Sequence, residues 1–371
     1  MIVVQLSGGL GNQMFQYATG RALAARHGAQ LVLDSSWIDG AGGAVSTEVR
    51  RYELGCFELE SRLAPVEQVG RLGRSVLPSR RPALRALEEP PFGQPCPELL
   101  QATDNTYLRG YWQHVSYFED AEEHLRHDFT FRPEIAAQEA EVARQIGESP
   151  VPTVSLHVRR SDYVTDPGVR DRMGTLEPEY YSHALHALGS GIGSVRLFVF
   201  TDDPEWCRSN LRLSEQDVVL GATRAEADKW ASIMHLMTLC DHHVLANSSF
   251  SWWGAWLSSS PAKIVVAPRP WLQDSRWDEN GRIPADWVRL DRRDYQADQP
   301  PSTTMFAPVT YDDASDARKT TAPTASDTSI RRPSGERAEN ASTNGSGWSF
   351  SMPCGVSVLT RTPLPPQYVA R

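Results

Sequence analysis

Residues 2–34, IVVQLSGGLGNQMFQYATGRALAARHGAQLVLD, decide how the chain folds. The apolar run Ile2 to Leu6 predicts a strand that stops at Ser7-Gly8-Gly9. A helix is expected from about Asn12 to His27, with Phe15, Ala18, Ala22 and Ala25 on one face. A second short strand, Gln30 to Asp34, follows at once. Strand, helix and strand in so short a span make a β-α-β unit of a parallel sheet. A second series begins after Pro152. VSLHV, VRLFVFTDD, DVVL, HHVLAN and KIVVAP alternate with helical patterns through Tyr180 to Leu188, near Glu205, from Ala225 to Leu239 and from Ser251 to Leu257. Between the two series, Arg62 to Leu100 is rich in Pro, Arg and Leu and has no readable period. The fold class expected is therefore α/β, with two Rossmann-like doubly wound domains, 1–148 and 149–296, facing across a cleft.

From about Ala297 the composition shifts to Pro, Ser, Thr, Asp and Ala, and of eleven tryptophans only Trp348 lies beyond that point. Such a segment has too little apolar surface to offset its ordering entropy, so 297–371 is expected to be a disordered tail. Its seven acidic and seven basic residues cancel, and the folded part carries the whole net charge of -9. That sign argues against a general binder of nucleic acid or of anionic membranes. No stretch approaches the ~20 apolar residues of a membrane span. The N-terminus lacks a basic region and a cleavage site, so no signal peptide is expected. The five cysteines are odd in number and form no Cys-x-x-Cys pair, which suits a reducing compartment. A cytoplasmic protein is expected, with peripheral attachment at the inner face of the membrane left open.

The chemistry-bearing segments fall at the predicted strand ends. Gly8-Gly9-Leu10-Gly11-Asn12-Gln13 lets the backbone turn tightly, approach a ligand and present a helix N-terminus to negative charge. Met14 stands where a dinucleotide fingerprint has its third glycine, and no Lys-Ser/Thr follows as in a phosphate-binding loop of nucleotide hydrolases. A plain strand-to-helix turn explains the same residues. His157-Val158-Arg159-Arg160-Ser161-Asp162 places two arginines just past a strand, and arginine makes bidentate hydrogen bonds to phosphate. Two solvated arginines beside a capping Asp162 are the alternative. Asn247-Ser248-Ser249-Phe250-Ser251 brings hydroxyls and an amide to another helix N-terminus, a second seat for an anion or simply serine caps. Trp252 and Trp256, at i and i+4, are expected in the core. Thr201-Asp202-Asp203 lacks metal-ligand company and reads as helix capping or a hydroxyl contact, and Cys240-Asp241-His242-His243 as a helix-to-strand turn.

Together QLSGGLGNQMFQYATGRALA, GYWQHVSYF, VSLHVRRSDYV, FVFTDD, LMTLCDHHVLANSSFSWWGAWL and VVAPRPW resemble the bacterial α-1,2-fucosyltransferases, glycosyltransferase family 11, in order over about residues 1–290. The resemblance implies the GT-B architecture, with an acceptor-side N-terminal domain and a donor-binding C-terminal domain. It implies inverting, metal-independent transfer of L-fucose from GDP-β-L-fucose to the 2-hydroxyl of a galactose-terminated glycan. Carried over by motif, Arg159 and Arg160 would hold the diphosphate, and His157 and Asp162 would order that loop or contact the nucleotide. Ser249, Phe250 and Ser251 would sit at the phosphate and guanosine. Gly11 and Asn12 would face the phosphates or the fucose across the cleft. Two positions depart from the family pattern. Ser161 replaces a usual Gly, and Ile233 stands where an acidic residue is usual.

A single displacement is expected, with negative charge growing on the leaving β-phosphate and Arg159 and the helix N-terminus near Ser251 receiving it. Asp166, Asp34 and His114 are the candidate general bases, with a phosphate oxygen or solvent as the alternative. Acceptor contacts are expected in Asp39 to Arg51 and Arg62 to Leu100. A GDP-fucose-dependent transferase of other linkage, a non-catalytic GDP-sugar-binding protein and a two-domain NAD(P) oxidoreductase are the competing readings. The incomplete glycine fingerprint and the arginine pair argue against the last.

Overall fold

Two parallel sheets organise the chain. The computed structural model describes residues 1–40, 50–59, 61–64, 84–90, 94–222, 226–274 and 281–292, all within one unit, Met1–Thr303. The expected tail, 297–371, lies outside the described residues, as does much of the two stretches where acceptor contacts are expected. The first sheet contains β1 (Ile2–Gln5), β2 (Leu31–Asp34), β3 (Arg62–Ala64), β4 (Arg85–Glu88) and β5 (Thr106–Arg109) in the order 3-2-1-5-4. Val4 lies opposite both Leu33 and Leu108, and every pairing is parallel. The second contains β6 (Thr153–Val158), β7 (Arg196–Thr201), β8 (Val218–Gly221), β9 (His242–Val244), β10 (Val265–Arg269) and β11 (Val288–Asp291) in the order 11-10-9-6-7-8. All six residues of β6 are buried, as befits a central parallel strand covered on both faces.

Each sheet reverses its strand order once, between β1 and β5 in the first and between β6 and β9 in the second. Connections on the two sides of such a point leave to opposite faces, so a crevice opens at the carboxyl ends of the two strands. The glycine turn follows β1 and the His157 segment follows β6. These motifs therefore sit at the two crevices.

The helices used below are α1 (Leu10–Arg26), α2 (Ser161–Thr165), α3 (Pro167–Met173), α4 (Pro178–Ile192), α5 (Pro204–Asn210), α6 (Ala227–Leu239) and α7 (Ser249–Leu257). The periodicity predicts one apolar face for α1, yet it is buried on nearly all sides until Ala25, which is exposed. The reason is a second packing partner. The Phe15 ring lies 4.7 Å from that of Trp252 and 4.9 Å from that of Trp253, both on α7. The Trp253 indole N–H donates to the Gly11 carbonyl at 3.0 Å. A single apolar core consequently runs from Leu33 and Leu108 of the first sheet to Trp252, Trp256, Trp271 and Trp287 of the second half. Ring pairs of this kind add roughly 0.5–1.5 kcal/mol each beyond their burial.

The glutamines of α1 are buried but satisfied. Gln13 donates to the Gly8 and Arg51 carbonyls and accepts from the Glu53 amide. Gln16 donates to the Ser7 hydroxyl and the Gly110 carbonyl and accepts from the Ser7 amide. Two side chains thus fasten the loops after β1 and β5 and the segment around residue 52, leaving no orphaned buried amide.

Candidate functional site

The segments leaving β1, β5, β6 and β9 meet at a cavity of about 630 Å³. Gly8 has φ of +74°, the left-handed region that glycine enters without strain. A Cβ there would also fall 2.4 Å from the Asn12 side-chain nitrogen. Gly11 is required for a different reason. A Cβ on it would lie 2.5 Å from the Ser249 carbonyl carbon and 2.6 Å from the Phe250 nitrogen. At this spot the N-termini of α1 and α7 touch, one from each half.

Asn12 bridges the contact. Its Oδ1 accepts from the Ser249 hydroxyl at 2.8 Å and from the Gln113 amide at 2.7 Å. Ser248 caps α7 by accepting from the Phe250 amide at 3.3 Å. Gly11, Asn12, His157, Arg159, Asp162, Ser249 and Phe250 all line the cavity, so most of the predicted residues converge there from both halves.

Arg159 and Arg160 part company. Arg159 donates to Asp202 at 2.5 Å and to Asp162 at 2.6 Å, stands over the Tyr163 ring and reaches the cavity. Burial alone would lower its pKa, but the two carboxylates outweigh burial and hold it above the ordinary arginine value. Two of its five N–H groups serve these partners. Arg160 does not line the cavity, contrary to expectation. Its guanidinium stacks 4.2 Å from the Trp206 ring centre and pairs with Asp203 at 3.2 Å, because the backbone turn after β6 sends successive side chains to opposite sides. Ser251 is likewise outside. Its hydroxyl bonds the Ala246 and Ser248 carbonyls within the buried first turn of α7. Asp203 caps α5 through the Trp206 amide, and Asp202, 2% exposed, buttresses Arg159 and the Arg160 amide.

His157 is fully enclosed at the end of β6, with its ring 5.6 Å from that of Phe250. Burial, reinforced by the Arg159 charge, pushes its pKa down to about 3, so the imidazole is neutral. Its Nδ1 is buried without a hydrogen-bond partner. Trp230 of α6 meets Phe250 edge to face at 5.3 Å, and both rings line the cavity. Ile233, by contrast, is wholly buried among Phe198, Phe200 and Met237, so this position does not face the site at all. Ser161 is the first residue of α2, its carbonyl accepting from the Thr165 hydroxyl.

The wall holds further charged residues, of which only Arg50 and Arg51 lie in a stretch where contacts are expected. Arg50, Arg51, Arg172 and Arg282 join Arg159, so among the described residues five arginines face three carboxylates, Glu53, Asp162 and Asp166, in a chain of net charge -9. Glu53 accepts from the Leu10 amide at 2.8 Å. Burial raises its pKa, and the Leu10 N–H, Arg50 and Arg51 offset this only in part. Of the expected bases, Asp166 lines the cavity but caps α3 through the Gly168 and Val169 amides. Asp34 and His114 lie off the wall. Asp34 accepts from the Tyr107 hydroxyl and the Ser36 amide, and His114 caps a short turn at Ser116. Among the described residues no helix is long and apolar enough to cross a membrane.

Two parallel α/β halves whose strand-order reversals share one cation-rich cleft are the GT-B arrangement of glycosyltransferases. The chain belongs to glycosyl transferase family 11, whose profile matches residues 97–291. It is 30% identical over 310 residues to an alpha-1,2-colitosyltransferase of Escherichia coli, covering 79% of this chain and 99% of that one. It is 28% identical over 156 residues to the galactoside alpha-(1,2)-fucosyltransferase 1 of Lagothrix lagotricha, covering 41% and 42% of the two chains. Among solved structures, the NodZ alpha-1,6-fucosyltransferase soaked with GDP-fucose aligns over 69% of this chain and 91% of that one, at 15% identity and a TM-score of 0.43.

Proposed function

We propose that this glycosyltransferase moves L-fucose from GDP-β-L-fucose to the 2-hydroxyl of a terminal galactoside, with inversion and without a metal ion. The observation that carries the proposal is the excess of arginine over carboxylate in the cleft of an acidic chain. A leaving nucleoside diphosphate needs such compensation as the glycosidic C–O bond breaks. Arg159 is the best placed donor, because Asp162 and Asp202 fix its plane and leave N–H groups for phosphate oxygens. The N-terminus of α7 at Ser249 adds backbone dipole on the same side. Trp230 and Phe250 offer a flat aromatic corner for guanine. The carboxylates nearest Arg159 are committed to guanidinium and backbone amides, so arginine supplies the positive charge that a metal would otherwise bring. The 1,2 linkage rests on the relatives, both named for it.

A second donor is favoured by one observation. The relative that this chain spans almost end to end is named for colitose, a fucose lacking its 3-hydroxyl. The deciding assay incubates the protein with GDP-fucose or GDP-colitose, with and without lactose, in EDTA, and determines the mass and linkage of the product. An α-1,2-fucosylated trisaccharide supports the reading. Transfer of colitose alone changes the donor. GDP binding without any transfer would make the chain a binding protein, and activity only after metal addition would overturn the metal-free mechanism.

A further inference from the structure

We infer that Glu53 is the general base that deprotonates the acceptor hydroxyl, an assignment that rests on the transferase reading above. In a single displacement the attacking oxygen and the leaving phosphate lie on opposite sides of the reacting carbon. The groups suited to the leaving phosphate, Arg159 and the α7 N-terminus, lie on the C-terminal half. The base must then come from the opposite wall, which the N-terminal half supplies. Of the three carboxylates that line the cavity among the described residues, Asp162 and Asp166 belong to the C-terminal half, the first bound to Arg159 and the second capping α3. Among the described residues Glu53 is the cavity carboxylate on the N-terminal half.

Its position is fixed rather than loose. One carboxylate oxygen accepts from the Leu10 amide at the mouth of α1, and the Glu53 backbone amide donates to the buried Gln13 side chain. The cavity histidine is a poor rival, since its pKa of about 3 leaves it little affinity for a proton. Burial raises the Glu53 pKa toward the range where a carboxylate becomes an effective proton acceptor. The groups acting on it are the Leu10 amide, Arg50 and Arg51, with the Cys56 thiol close enough to feel its charge. In the step proposed, the acceptor O–H loses its proton to Glu53 while its oxygen forms the new bond to C1. The C1–O bond to the β-phosphate breaks, GDP leaves with that electron pair, and Glu53 later returns the proton to water.

The test compares wild type, Glu53→Gln and Glu53→Asp. Glutamine keeps an oxygen for the Leu10 amide and removes the basicity. The expected result is a fall in kcat of ~100- to 10,000-fold for Glu53→Gln, with GDP affinity and melting temperature unchanged. The acid limb of the kcat/KM profile, set in wild type by a carboxylate above its ordinary range, should vanish in Glu53→Gln. Glu53→Asp should keep the limb with a smaller fall in kcat, and this variant answers the question even if the glutamine form misfolds. Glu53→Gln turning over like wild type with its acid limb intact overturns the assignment. So does a loss confined to KM or to GDP affinity, which would make Glu53 a positioning residue. If wild type transfers neither donor's sugar, the transferase reading fails first and takes the base with it.

Discussion

On the C-terminal wall of the cavity, charge is set in place by other charge. Arg159 is held by two carboxylates, and His157 is sealed beside it as a neutral ring. On the N-terminal wall the turn at Gly8, Gly9 and Gly11 is mostly bare backbone, and its loops are held by two neutral glutamines. The difference suits two tasks. A wall that receives a developing diphosphate benefits from groups fixed before the reaction, because reorganisation then costs little. The opposite wall sets close backbone beside Arg50, Arg51 and Glu53, a setting suited to a neutral hydroxyl and its proton. The contrast also shows that a sequence motif is not a functional unit. Arg159 and Arg160 are neighbours in the chain, yet one belongs to the wall and the other to the helix behind it.

The largest expected effect is at Arg159. Arg159→Ala should lower kcat by ~100- to 1,000-fold, as removal of one transition-state donor typically does. It also strands Asp162 and Asp202 in a buried setting, which typically costs about 3–5 kcal/mol in a chemical unfolding experiment. A fully active, fully stable Arg159→Ala protein would erase the distinction between the walls.

Gly11→Ala comes next, because its Cβ would strike backbone rather than a side chain that can swing away. A loss of about 1–3 kcal/mol is expected from such overpacking, read as a lower urea midpoint. A stable Gly11→Ala protein would mean that the two helix N-termini are free to part.

Acid should reveal the C-terminal half's histidines. His157 and His243 have pKa values pushed down to about 3 by burial, from an ordinary 6.5. The unfolded chain therefore binds protons that the folded chain refuses, and stability falls as pH drops below the ordinary value. The loss continues toward pH 3 at about 1.4 kcal/mol per pH unit for each histidine. Unfolding curves between pH 7 and pH 5 should show this slope, and His243→Phe should reduce it. A pH-independent midpoint across that interval would mean that these rings are solvated.

The smallest effect is expected at Arg160. Its partner Asp203 is 38% exposed and its ring contact is with Trp206, so Arg160→Ala should cost about 1 kcal/mol or less in stability. Turnover should match wild type, and a kcat as low as that of Arg159→Ala would restore the arginine pair as one phosphate clamp.

The parallel sheets were legible because strand ends and motifs coincide. Gly8 to Asn12, His157 to Asp162 and Ser248 to Phe250 each follow an apolar run, so they had to fall at carboxyl ends of strands. The two edge strands were not legible. Arg62–Ala64 and Arg85–Glu88 are short, and the second is largely exposed, so neither carries an apolar alternation. The α1 periodicity misled at Ala25 because a helix packed on two sides has no single apolar face. Within the site, Arg50 and Arg51 end the stretch where contacts are expected, whereas Glu53, Arg172, Trp230 and Arg282 are brought to the cavity only by the tertiary fold. Each looks locally like an ordinary loop or surface-helix residue. Ser251 stays off the cavity wall for a more local reason, since its hydroxyl bonds the Ala246 and Ser248 carbonyls just before the helix.

The meeting of Gly11 with Ser249, sealed by the Trp253 bond to the Gly11 carbonyl, bears on how such enzymes diversify. Two-domain transferases invite the swapping of acceptor halves between relatives to make new products. Here a crossover between the two sheets would cut through one shared core, and every recombinant would have to carry a matched pair across the seam. New acceptor preferences should therefore arise by exchanging the loops around the rim, with the first helix inherited together with the tryptophans it rests on.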